Sequence, residues 1–224
     1  SPYAVLSSTL VRATPLLFVG LAVGFSFRAG VLNIGAEGQL LAGATMAVTT
    51  GLLLGGFPRP LALPLVLLAG AAAGSAWAGI AAWLKQQFGV LEVISTLMLN
   101  FVASYLVSWA VRGPLQEPTH VYPQTVELAD AVRLPALIAG HRVHLGFVLA
   151  LALAGALWWF LMYTAAGFRV RAVGAGERAA RSAGRINVSR TAALVFIASG
   201  ALAGLGGASE VTGVPGAEIS IAVL

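Results

Sequence analysis

The stretch Ala165–Arg190, AAGFRVRAVGAGERAARSAGRINVSR, carries six arginines (Arg169, Arg171, Arg178, Arg181, Arg185 and Arg190) against the single acid Glu177. Val143 to Tyr163 before it and Thr191 to Gly207 after it hold no Asp, Glu, Lys or Arg. A basic island between two apolar runs is the signature of a cytoplasmic loop joining membrane spans, because short loops rich in Lys and Arg stay inside. Within it, Glu177 to Ala183 reads as a small helix stopped by Gly184. Ala179, Ala180 and Ala183 give this helix a small-residue face, and Arg178, Arg181 and Arg185 project from the rest. Such a loop either holds topology alone or offers a short helix to a soluble partner.

The composition agrees with the membrane reading. The chain has 224 residues, 58% hydrophobic and 9% charged, where soluble domains carry roughly 25% charged residues. Its net charge of +5 is concentrated in the island, so the basic balance reports topology and leaves no nucleic-acid footprint. The absence of cysteine excludes disulfides and thiolate metal sites. The start at Ser1 and the apolar restart before Leu224 suggest a segment of a longer polypeptide, lacking helices at both ends. Leu10 to Phe27 lacks the small-residue cleavage pattern of a secretory signal.

The expected fold is all-α: a polytopic transmembrane helical bundle with at least one interrupted helix. Pro15 to Phe27, Leu40 to Leu54, Leu61 to Leu84, Gly89 to Val111, Val143 to Tyr163 and Thr191 to Gly207 are the apolar runs, and about 20 such residues cross a bilayer core. Gly200 and Gly204 form a small-xxx-small pair that lets helices approach closely. Glu210 to Gly216 is expected to break the last run. Counting back from a cytoplasmic island places the polar loop 112–142 outside, Lys85 inside, the turn at Gly55 to Pro60 outside, and the break at Arg28 to Gln39 near the inner side.

Two polar stretches interrupt the apolar runs. Glu92, Thr96, Asn100, Ser104 and Ser108 recur every four positions and form one stripe along a helix. The stripe either lines a solute path or fastens helices to one another by hydrogen bonds. Asn33, Glu37 and Gln39 sit among Gly30, Gly35, Gly38 and Gly43. A helix broken inside a membrane is tolerated where it lines a cavity, and this reading is preferred here over a simple hairpin turn. His120, His141 and His144 are expected to be solvated loop residues. Gly174 and Gly176 lack the lysine and hydroxyl of a phosphate-binding loop, so no ATP site is expected in this chain.

Three blocks in order, GVLNIGAEGQLLAGA (Gly30 to Ala44), EVISTLMLNF (Glu92 to Phe101) followed by VRGPLQEP, and GFRVRAVGAGERAARSAGRINV (Gly167 to Val188), resemble the permease subunits of ATP-binding-cassette importers. The nearest branch is the nucleoside and simple-sugar one, related to the branched-chain amino-acid permeases. The resemblance implies that residues 1–224 form one transmembrane permease domain in the plasma (bacterial inner) membrane, with 165–190 as the cytoplasmic coupling loop and 112–142 as an extracytoplasmic loop. It implies a coupling helix docked on a cytoplasmic ATPase through Gly174, Glu177, Ala180, Arg181 and Gly184, with Arg169 and Arg171 on the same surface. Arg185, between Gly184 and Ile186, departs from the family pattern. The resemblance also implies a second permease subunit, an extracytoplasmic solute-binding protein, and ATP with magnesium bound by the ATPase rather than by this chain. Asn33, Glu37, Gln39, Thr96 and Asn100 become candidate solute partners, with Glu92 on the same path. The competing readings are a permease for branched-chain amino acids, an ion-coupled carrier titrating Glu37 or Glu92, and a non-transporting scaffold.

Overall fold

The computed structural model describes residues 2–137, 143–182 and 186–213. Eight α-helices follow one another: α1 Pro2–Arg28, α2 Ala36–Leu54, α3 Arg59–Phe88, α4 Glu92–Arg112, α5 Leu145–Tyr163, α6 Ala165–Ala175, α7 Glu177–Ser182 and α8 Val188–Gly213. A 3-10 turn occupies Asp130–Val132, and among the described residues there is no strand beyond one isolated bridge, Ala136 to His144. Ser7–Arg28 of α1, together with α3, α4, α5 and α8, is long and apolar enough to cross a membrane by length and composition.

Local chemistry sets the helix ends. α3 opens after Pro58 with Pro60 in its first turn, where a missing N–H costs nothing. It closes at Gly89, in the left-handed region at φ 67°, whose N–H donates to the Lys85 carbonyl at 3.0 Å. The Thr164 hydroxyl caps α6 by accepting from Gly167 N at 2.9 Å. Nδ1 of His144 caps α5 by accepting from Gly146 N at 3.2 Å.

α8 is the central post, packed by α1, α2 and α3. Its small residues make this possible. A Cβ on Gly74 of α3 would stand 2.8 Å from Gly204 Cα, and one on Gly70 would stand 2.6 Å from the Ala208 methyl. The expected close approach at Gly200 and Gly204 is therefore present, with backbone on backbone. Ser199 meets Ala22 while Gly206 meets Phe18, so α1 runs opposite to α8. Asn33 meets Ser199 while Ala44 meets Gly207, so α2 runs alongside α8. The helix broken inside the membrane, expected between Arg28 and Gln39, is not what forms: α1 ends at Arg28, the chain reverses over residues 29–35, and α2 returns along α8, so this segment is the hairpin turn between two helices.

This alternation gathers Ala29, Gly30, Lys85, Glu92 and the α6–α7 segment at one end, around a shared cavity. At the opposite end, the part of the polar loop around Leu128 to Leu134 packs on the bundle. Leu128 and Val132 are buried with Val48, Val66 and Val111, and Leu134 N donates to Thr212 O at 2.8 Å. Arg133 pairs with Glu127 and with Asp130, and its carbonyl accepts from Arg59.

Three further expectations are corrected. α8 does not break at Glu210 but continues to Gly213, because Ser209, Val211 and Thr212 are buried against the rest of the bundle; Val214 to Gly216 lie outside the described residues. The first half of the basic island is itself a helix, α6, rather than an open loop. His144 is not solvated: it is 1% exposed beneath α8, capping α5. His120 is exposed as expected, and His141 lies outside the described residues.

Candidate functional site

The polar turn between α1 and α2 is held by an internal network. Asn33 Nδ2 donates to Gln39 Oε1 at 2.9 Å and to Ser199 Oγ at 2.8 Å. Gln39 Nε2 returns a bond to Asn33 Oδ1 at 3.0 Å, and the same oxygen accepts from Gly35 N at 3.1 Å. Ser199 Oγ donates to Ala22 O at 2.7 Å, which ties the turn to α1 and α8 together. Asn33 and Gln39 are each 1% exposed and Ser199 is fully buried. Backbone that leaves helical geometry inside an apolar bundle needs such partners, since an unsatisfied buried group costs about 1–3 kcal/mol.

The α4 stripe serves the same turn. Asn100 Oδ1 accepts from Gly38 N at 2.9 Å, and its Nδ2 donates to Ile34 O at 3.1 Å, so one amide satisfies both sides of the start of α2. Thr96 is buried against Gly35, where a Cβ would stand 2.8 Å from the Thr96 Cβ, and its hydroxyl donates to Glu92 O at 2.6 Å. Ser104 bonds its own helix at Asn100 O. Glu92 pairs with Lys85 at 2.8 Å across the α3–α4 connection. Glu37, by contrast, is exposed on the first turn of α2 and has neither ion pair nor hydrogen bond among the described residues.

The α6–α7 segment faces two ways. Val170 and Val173 of α6 and Ala180 of α7 are buried, the last with Val173 and Val188. Gly174 sits against the α1–α2 turn, where a Cβ would stand 3.2 Å from Gly30 N, and Gly30 itself holds the turn at φ 71°. Arg169, Arg178 and Arg181 are exposed, with Arg181 paired to Glu177 at 2.6 Å along the helix. Arg171 is half-buried, its Nη1 3.1 Å from Met162 Sδ. A cavity of about 420 Å³, lined by Glu177, Arg181, Lys85, Glu92, Val31 and Phe196, lies between this segment and the ends of the long helices. Gly184 lies outside the described residues.

The structure thus brings Asn33, Gln39, Thr96 and Asn100 together and leaves Glu37 beside them. It sets Gly174 against the α1–α2 turn and buries Ala180, leaves Arg169 exposed, and leaves Glu177 and Arg181 exposed at the rim of the cavity. Ser199, the hub of the network, was missed in the sequence, although it directly precedes Gly200 on the small-residue face. Trp77 Nε1, His144 Nε2 and Glu210 Oε2 are buried without a partner among the described residues, a property no local pattern announces. The described residues contain no cluster of three or more His, Cys, Asp or Glu able to hold a metal.

The family model for the permease component of branched-chain amino acid transport systems matches residues 5–223. The chain is 42% identical to the glucose ABC transporter permease protein TsgB13 of Haloferax volcanii, over 94% of this chain and 58% of that protein. It is 38% identical to the guanosine ABC transporter permease protein NupP of Bacillus subtilis, over 90% of this chain and 58% of that protein. It is 29% identical to the nucleoside ABC transporter permease protein NupB of Lactococcus lactis subsp. cremoris, over 90% of this chain and 57% of that protein. The chain therefore spans somewhat more than half the length of these relatives. No solved structure matches it.

Proposed function

The chain belongs to the permease-component family of branched-chain amino acid transport systems, and on that premise we propose that it is the membrane-spanning part of an ATP-binding-cassette importer for a nucleoside or simple sugar. It is a multi-pass membrane protein, and the reading places it in the plasma membrane with the basic end in the cytoplasm. Relatives whose names specify glucose, guanosine and nucleosides support this solute class over branched-chain amino acids. A separate ATPase binds ATP and magnesium, a second permease subunit completes the path, and an extracytoplasmic binding protein delivers the solute.

The observation that carries the reading is the two-faced α6–α7 segment. Its exposed Arg169, Arg178 and Arg181 present a grip to a cytoplasmic partner. Gly174 of the same segment packs closely on the backbone of Arg28 and Gly30, the entrance of the polar turn. Movement of the ATPases would displace α7, and the contact at Gly174 would pass that displacement to the turn and to the helices it ties together. Glu177 keeps Arg181 extended along α7, while Ala180 holds the helix to the bundle.

Arg181→Glu in the assembled, reconstituted importer tests the grip. Loss of ATP-driven uptake and of solute-stimulated ATPase is expected; both unchanged would remove the coupling assignment. Uptake measured with a panel of nucleosides, hexoses and branched-chain amino acids tests the solute class, and uptake of leucine alone would overturn it.

A further inference from the structure

We propose that Glu37 is the solute-facing acceptor of the polar turn and takes a pair of neighbouring hydroxyls on the sugar ring of the solute. The inference rests on the permease reading above and goes beyond it by separating the candidate residues into two kinds. Asn33 and Gln39 are buried and engaged with each other, with Ser199 and with backbone, and Asn100 is engaged with backbone on both sides of the α2 start. Their amides build the turn. Glu37 is the polar side chain of that turn left exposed and without a partner among the described residues.

Its depth gives that exposure meaning. Gly35 packs on Thr96 and Gly38 bonds Asn100, so Glu37 lies between those levels, about 6–12 Å along α4 from the Lys85–Glu92 pair at the basic end. Leu32 and Ile34 of the same turn are exposed as well. Within a bilayer core an ionised carboxylate is disfavoured against hydrocarbon and has to face water or protein. A carboxylate only accepts, through two oxygens, which suits two adjacent hydroxyl donors, and such charge-assisted bonds outweigh neutral ones.

The chain has no cysteine, so a single introduced thiol can be read without background. In the complete importer, Glu37→Cys is expected to react with a membrane-impermeant maleimide, whereas Gln39→Cys is not. Saturating guanosine or D-glucose, whichever the wild-type complex transports, is expected to slow that reaction. Glu37→Gln is expected to lower its uptake about tenfold or more, as for loss of a hydrogen bond to a charged group. An inert thiol at position 37, or a rate that the transported probe leaves unchanged, sinks the assignment while leaving the permease reading intact. A wild-type complex that takes up neither probe with ATP overturns the solute class and this inference with it.

Discussion

Gly174 of α6 is seated on the backbone of Arg28: a Cβ at Gly174 would stand 2.9 Å from the Arg28 carbonyl carbon and closer still to its oxygen. The contact joins the arginine-rich segment to the last turn of α1 through main chain alone, with no flexible side chain between them. Any substitution must therefore move one of the two helices.

Gly174→Ala is accordingly expected to cost about 1–3 kcal/mol, the usual penalty of overpacking. It should also uncouple ATP hydrolysis from uptake in the reconstituted importer. At Gly176, where a Cβ would meet only the Ala179 methyl at 3.7 Å, alanine is expected to leave both readouts near wild type. Equal effects at the two positions would remove the mechanical role of the contact.

The glycine seam between α3 and α8 makes a second prediction. Gly204→Ala would press a methyl onto Gly74 Cα at 3.0 Å and onto the Gly70 carbonyl. A loss of about 1–3 kcal/mol is expected, read as a lower melting temperature in detergent. Gly155→Ala meets nothing within 4 Å, and it is expected to be neutral or stabilising by up to about 1 kcal/mol, since alanine is the better helix former.

The Asn33–Gln39 pair is expected to behave as a unit. Asn33→Ala strips partners from Gln39 and from the Gly35 N–H, at a cost of about 1–3 kcal/mol for groups left buried and unsatisfied. Combined with Gln39→Leu, the two losses should fall short of additive by about 0.5–3 kcal/mol, as for residues sharing one network. Strict additivity in a double-mutant cycle would show that the amides act separately.

His144 predicts a pH dependence. Burial pushes its imidazole below the ordinary value near 6.5, so the folded chain holds it neutral. Between the depressed value and 6.5 the unfolded chain binds more protons, so stability is constant above 6.5 and falls as the pH drops below it. Melting temperature followed from pH 8 to pH 5 should show this decline, and His144→Asn, which keeps a capping side chain without a titratable ring, should flatten it. A parallel decline in the variant would assign the effect to other groups.

Hydropathy and charge are sums over neighbouring residues, so the sequence alone determined what such sums can carry: the membrane class, the helical runs, the basic end, and the small-residue pair at Gly200 and Gly204. The resemblance over three blocks supplied the family. What the tertiary structure decided was the fate of each polar group: Asn33 and Gln39 turned on each other, Asn100 fastened to the backbone of the turn, His144 buried under α8, Glu37 left open. Hydrogen-bond satisfaction is a pairing between residues as distant as Asn33 and Ser199, and no local pattern encodes it. The reversal at residues 29–35 was hidden for the same reason, because a glycine-rich interruption looks alike whether the helices on either side continue or fold back, and only their packing on α8 tells the two apart.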